Sequence, residues 1–115
     1  MNTRSVVEEH IAAFNAHDTQ RLIAGLAPDA VWITGSDTVT GRTALAGLFD
    51  DWLWSMAPSL TALSIVVEGD RAAAQLREVL TDDGRRREYT IAVFFDVTDG
   101  LIARAKVYRE GTAAL

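Results

Sequence analysis

The sequence predicts an α+β domain with three helical segments in its N-terminal half and strands joined by tight turns after them. Two patterns and one length predict it. Apolar residues recur at helical spacing at Val7, Ile11 and Phe14, and again at Leu45, Leu48, Phe49, Trp52 and Met56. Beyond Pro58 the period changes to alternation, in four stretches separated by Gly69-Asp70, Asp82-Asp83-Gly84 and Asp99-Gly100. A chain of 115 residues has room for one hydrophobic core, so residues 1–115 are expected to form a single domain.

Taken in order, the first helix covers Arg4 to His17, and Asp18 is placed to cap a shorter second helix carrying Leu22, Ile23 and Leu26. Ala27-Pro28-Asp29 breaks that helix, and Ala30 to Thr34 reads as a short strand. Gly41 opens the third helix, which Pro58 ends. Four strands follow, from Leu60 to Glu68, Arg71 to Thr81, Arg87 to Val97 and Leu101 to Arg109. Asp99-Gly100 is the strongest hairpin signal among their connections. Helices segregated onto one face of a long, mainly antiparallel sheet leave a concavity between the layers, and small-molecule sites favour such places.

Composition narrows the function. Hydrophobic residues at 49% and charged residues at 23% are those of a globular protein. A formal net charge of -5 argues against a basic nucleic-acid-binding face. The absence of cysteine removes disulfides, thiol nucleophiles and thiolate metal sites. His10 and His17, seven apart on one helix with no carboxylate cluster nearby, make a poor metal pair. Gly35 lacks the spaced glycines of a phosphate-binding loop, so neither metal nor cofactor is expected. Met1 to Glu9 show no secretory pattern, and no apolar run approaches the ~20 residues that cross a bilayer; the cytoplasm is the default expectation.

Alternation assigns the faces. Ala72, Ala74, Leu76, Glu78 and Leu80 share one face of their strand, apolar apart from Glu78, and that face is expected to turn toward the helices. Tyr89, Ile91 and Val93 share a face of the next strand, and Ala103, Ala105 and Val107 a face of the last. Trp32 and Thr34 lie together on the first strand, while Phe14 and Trp52 belong to the helical stripes. Of these, Phe14, Trp32, Thr34, Trp52, Leu76, Leu80, Tyr89, Ile91, Val93, Ala105 and Val107 are the expected walls of a ligand pocket.

Glu78 is the informative residue. Between two leucines, its carboxylate needs a partner, water or a raised pKa. One reading is a general acid or base in an apolar pocket; the other is a carboxylate near the open end, hydrated or paired with an arginine. Were it buried and unpaired, Glu78→Leu would be stabilising. His10, one turn from Val7 and from Phe14, is either a proton-transfer partner for Glu78 or a half-buried, hydrogen-bonded side chain. Asp50 and Asp51 read as a solvated helix face, and an exposed Trp54 beside them would mark a contact surface. Arg85-Arg86-Arg87 reads as a solvated run.

Four local stretches resemble the SnoaL-like relatives of nuclear transport factor 2. They are Phe14-Asn15-Ala16-His17-Asp18, Ala27-Pro28-Asp29-Ala30-Val31-Trp32, Gly41-Arg42-Thr43-Ala44-Leu45, and Val97-Thr98-Asp99-Gly100-Leu101-Ile102 followed by Tyr108. The resemblance spans nearly the whole chain and implies a cone-shaped α+β barrel, usually dimeric. It does not imply one activity, because fold does not fix function. Glu78 to Tyr108 is similar to the matching part of limonene epoxide hydrolases. There Glu78 falls on one catalytic aspartate position, Leu76 on the arginine position and Val107 on the second aspartate position, so two of three catalytic groups are absent. Compared with ketosteroid isomerases, Thr34 stands about where the aspartate base would be and His10 near the tyrosine. The late acidic residue of SnoaL-type cyclases is not matched on the apolar Val107 face.

The first functional expectation is binding of a hydrophobic small molecule, polyketide-, terpenoid- or steroid-like. The second is a cofactor-independent acid–base isomerase, cyclase or hydrolase that uses Glu78 and His10. The third is an interaction module, with two copies joined through the outer sheet face that carries Val79, Ala92, Phe94 and Tyr108.

Overall fold

Asn2 accepts a hydrogen bond from the Ser5 amide and starts α1 (Thr3–Asn15), and Asp18 accepts from the Arg21 amide and starts α2 (Thr19–Ala24). The computed structural model describes residues 2–110. Next come β1 (Leu26–Thr34), β2 (Asp37–Thr40) and α3 (Arg42–Asp51), followed by a 3-10 turn over Leu53–Met56. The chain then runs through β3 (Ser59–Glu68), β4 (Arg71–Asp82), β5 (Arg85–Thr98) and β6 (Leu101–Arg109).

The six strands form one sheet in the order β2-β1-β6-β5-β4-β3. Every neighbouring pair is antiparallel except β1 and β6. The sequence-marked turns close two-residue hairpins: Asp82 pairs with Arg85 and Thr98 with Leu101. Asp83, Gly84, Asp99 and Gly100 all have positive φ, the double left-handed step that matches a twisted hairpin. The helices cover one sheet face. Val7, Leu45 and Phe49 are fully buried there against Leu76, Phe95 and Ile102.

Four expectations need correction. First, β1 begins at Leu26 rather than Ala30. Leu26 is fully buried and pairs with Ile102, while Pro28 and Asp29 bulge outward in the register break before Val31. Second, β2 carried no apolar run and escaped notice, because it is a four-residue edge strand that is almost wholly exposed. Third, α3 does not run to Met56. Trp52 leaves helical geometry at φ -138°, so it stands 56% exposed instead of joining the buried stripe. Fourth, a register shift beside Asp96 buries Ile102 and leaves Ala103 half-exposed, so the inward set on β6 is Ile102, Ala105 and Val107.

The segment after α3 is clamped to α1. The Asn15 amide donates to the Leu60 carbonyl (2.8 Å) and its oxygen accepts from the Leu60 N–H (2.7 Å). Trp54 is not an exposed contact residue: it stacks on His17 and Phe49, and its indole N–H donates to Thr19 Oγ1.

Candidate functional site

Strand register lays the inward side chains out in rows. Trp32, Ala105, Phe95 and Ala72 form one row; Thr34, Val107, Val93 and Ala74 form the next. Arg109, Ile91 and Leu76 follow, then Tyr89 and Glu78 beside Leu60. The helices do not fill the space above these rows. A cavity of about 880 Å³ remains, within the range of small-molecule sites.

Its inner end is aromatic. His10 projects from α1 to within 5.4 Å of the Trp32 ring and 5.6 Å of the Phe95 ring, centroid to centroid. Phe14 borders the same end, while Leu48, Leu53 and Met56 form part of the wall that the helical side contributes. His10 is 6% exposed, and burial alone pushes its pKa down to about 4, so the imidazole is neutral at physiological pH.

The outer end is polar. Glu78, 4% exposed, is paired: Arg109 Nη2 donates to its Oε1 at 3.1 Å and Nε to the same oxygen at 3.3 Å. Arg109 also donates through Nη1 to Thr34 Oγ1 at 3.0 Å, with its guanidinium 6.0 Å from the Tyr89 ring centroid. Because Glu78 is on β4 and Arg109 on β6, the arginine crosses the inner face of β5 to reach it. It forms a polar bar tying β1, β6 and β4 together. Leu80, Asp82 and the β1–β2 turn complete the rim, together with the exposed Trp52.

Among the side chains assigned to the pocket from the sequence, Phe14, Trp32, Thr34, Trp52, Leu76 and Leu80 border the cavity. So do Tyr89, Ile91, Val93 and Val107, along with His10 and Glu78. Ala105 does not. It faces inward but is fully covered, its short methyl lying on the row between the larger Trp32 and Phe95 rings. A direct relay between His10 and Glu78 is also not formed. Phe95, which His10 packs against, lies six residues from Tyr89, the partner of Glu78; that is about 20 Å at the ordinary strand rise. Arg109 is the residue that sequence reasoning missed. Its signal was present, since the alternation through Ala105 and Val107 reaches Arg109 next. Leu76 stands where the resemblance to epoxide hydrolases would place an arginine, yet a guanidinium reaches Glu78 from another strand.

Comparison with known proteins fits this architecture. A Burkholderia pseudomallei nuclear transport factor 2-like protein of unknown function superposes with a TM-score of 0.86 at 18% identity, covering 96% of this chain and 92% of that one. A Kribbella flavida protein provisionally described as a ketosteroid isomerase gives 0.84 at 22% identity, covering 96% and 78%. An epoxide hydrolase of the limonene type from M. tuberculosis gives 0.83 at 20% identity, covering 92% and 80%. Identities this low establish a shared fold and no shared activity. A search of curated proteins finds no match. The SnoaL-like domain model matches residues 7–105, most of the chain, and on that match the protein belongs to the SnoaL-like family.

Proposed function

We propose that the chain binds a hydrophobic small molecule in the cavity between its helices and its sheet. The carrying observation is the cavity itself: about 880 Å³, walled largely by aromatic and aliphatic side chains, with His10 toward one end and the Glu78–Arg109 pair toward the other. A ligand that binds only the folded state raises the unfolding midpoint by mass action, by about 2.7 kcal/mol at a hundredfold excess over its Kd. Val93→Trp, which places an indole where a small side chain now borders the cavity, should fold and lose that response. A panel of apolar ring compounds that leaves the wild-type midpoint unmoved would sink the proposal.

One observation favours a second reading, an acid–base isomerase, cyclase or hydrolase. The Arg109 contacts favour Glu78 Oε1, while Oε2 has one contact at 3.4 Å and keeps lone pairs able to accept a proton. Relatives described as an isomerase and a hydrolase share the fold. An enzyme would lose turnover in Glu78→Gln, whereas a binder would change only in affinity.

Two copies are further proposed to associate through the outer sheet face. Phe94 and Tyr108 meet edge to face there at 5.8 Å and stay 45% and 40% exposed, and Val66 on the same face is 64% exposed. Sedimentation should give a dimer at micromolar concentration that Phe94→Glu converts to monomer; a monomeric wild type would refute this.

A further inference from the structure

One wall of the cavity ends in a large side chain that the core does not claim. Trp32 and Trp54 pack against the core, while Trp52 stands 56% exposed and joins no ring pair among the described residues. Of the large apolar side chains exposed among those residues, Val66, Phe94 and Tyr108 lie on the outer sheet face, and Leu63 sits at the register shift in β3. Trp52 is the one that borders the cavity.

The main chain beneath it is fixed. The Trp52 N–H donates to the Leu48 carbonyl, and the Trp52 carbonyl accepts from the Ser55 N–H at 3.2 Å and from the Ser55 hydroxyl at 2.5 Å. Phe49, three residues before, is fully buried, and Trp54, two residues after, is held by His17, Phe49 and Thr19. What stays free is the indole, which turns about its side-chain bonds between staggered positions, on an exposed residue within picoseconds to nanoseconds. Had α3 continued, Trp52 would share the buried stripe of Leu45 and Phe49; the break at φ -138° moves it to the rim, next to Leu53 and Met56 of the cavity wall.

We propose that Trp52 is an aromatic flap, an indole held at the mouth that folds over an apolar molecule in the cavity and slows its escape. A covered tryptophan buries about 150–250 Å², and slightly over half of this one is open, so closure removes about 100 Å² from water. Less the cost of ordering one side chain, that favours the closed position by about tenfold. Reorientation of the indole is far faster than ligand encounter, so arrival is scarcely delayed, whereas departure waits for the open position. This role rests on the small-molecule reading above and adds what governs residence in that site.

The test uses N-phenyl-1-naphthylamine, an uncharged probe whose emission rises in apolar surroundings, mixed with the intact protein in stopped flow. Trp52→Ala should speed dissociation about tenfold and change association less than about threefold. Trp52→Phe, which keeps a smaller ring, should fall between the two. Leu63→Ala, which removes an exposed side chain away from the cavity, should leave both rates unchanged. Labelling with 5-fluorotryptophan follows the indole itself. The Trp52 fluorine signal, assigned by its loss in Trp52→Phe, should lose most of its solvent isotope shift at saturating probe. Equal dissociation rates in wild type and Trp52→Ala, or a fluorine signal as solvent-exposed with the probe as without it, overturn the flap while the pocket reading stands. If the probe does not bind, or binds Val93→Trp as tightly as wild type, both fall.

Discussion

Glu78→Leu should lower the unfolding midpoint by about 8 °C, the opposite of what an unpaired buried carboxylate would give. Removing one member of a fully buried ion pair costs about 3–5 kcal/mol, because the other charge is left desolvated without a partner. Here the Glu78 side chain is 6% exposed and that of Arg109 26%, so water reaches the stranded guanidinium and the cost drops to about 2 kcal/mol. For a domain of this length each kcal/mol is worth about 4 °C. Arg109→Met should be at least as damaging, since it strands the more deeply buried carboxylate and also removes the hydrogen bond to Thr34. The double variant Glu78→Leu/Arg109→Met should recover much of the loss, with a coupling of at least about 1 kcal/mol in a double-mutant cycle. Strict additivity of the two single variants would show that the pair does not act as a unit.

The strand and turn grammar was legible because each signal has a local cause. Asp99-Gly100 tolerates the positive φ that a two-residue hairpin requires, and alternation along β4 put Glu78 on the inward face with no further information. What escaped depends on contacts distant in sequence. β2 is held by pairing with β1 and has no apolar periodicity of its own. The register shift that turns Ile102 inward and Ala103 half out comes from how β5 and β6 align. Trp52 looked like one more residue of a helical stripe, and the break in helical geometry that exposes it has no Gly or Pro to announce it. The site was half legible for the same reason. Alternation finds which residues face the cavity, but the identity of Glu78's partner depends on how β6 lies two strands away. Ala105 shows the converse, since a face assignment says nothing of whether larger neighbours on the row will cover a small side chain.

Stability should fall steeply below pH 6.5, and most of that fall should vanish in His10→Phe. Burial holds the folded-state pKa of His10 near 4, against an ordinary value of 6.5, with no ion pair among the causes. Between those values the unfolded chain binds a proton at this position and the folded chain does not, so stability rises with pH across the window. The slope is about 1.4 kcal/mol per pH unit, and over the whole interval the contribution reaches roughly 3 kcal/mol. It is fully present above pH 6.5, is lost as pH falls toward 4, and levels off below that, where both states carry the proton. Phenylalanine keeps an aromatic ring against Trp32 and Phe95 and cannot titrate, so the difference between wild type and variant isolates this group from the carboxylates that also titrate in acid. The measurement is denaturant unfolding at pH 7.5, 6, 5 and 4.5 for both proteins. A difference that grows as pH drops confirms an imidazole kept neutral by its surroundings. A constant difference would mean that His10 protonates freely in the folded state, and a neutral polar group at the inner end of the cavity would have to be abandoned.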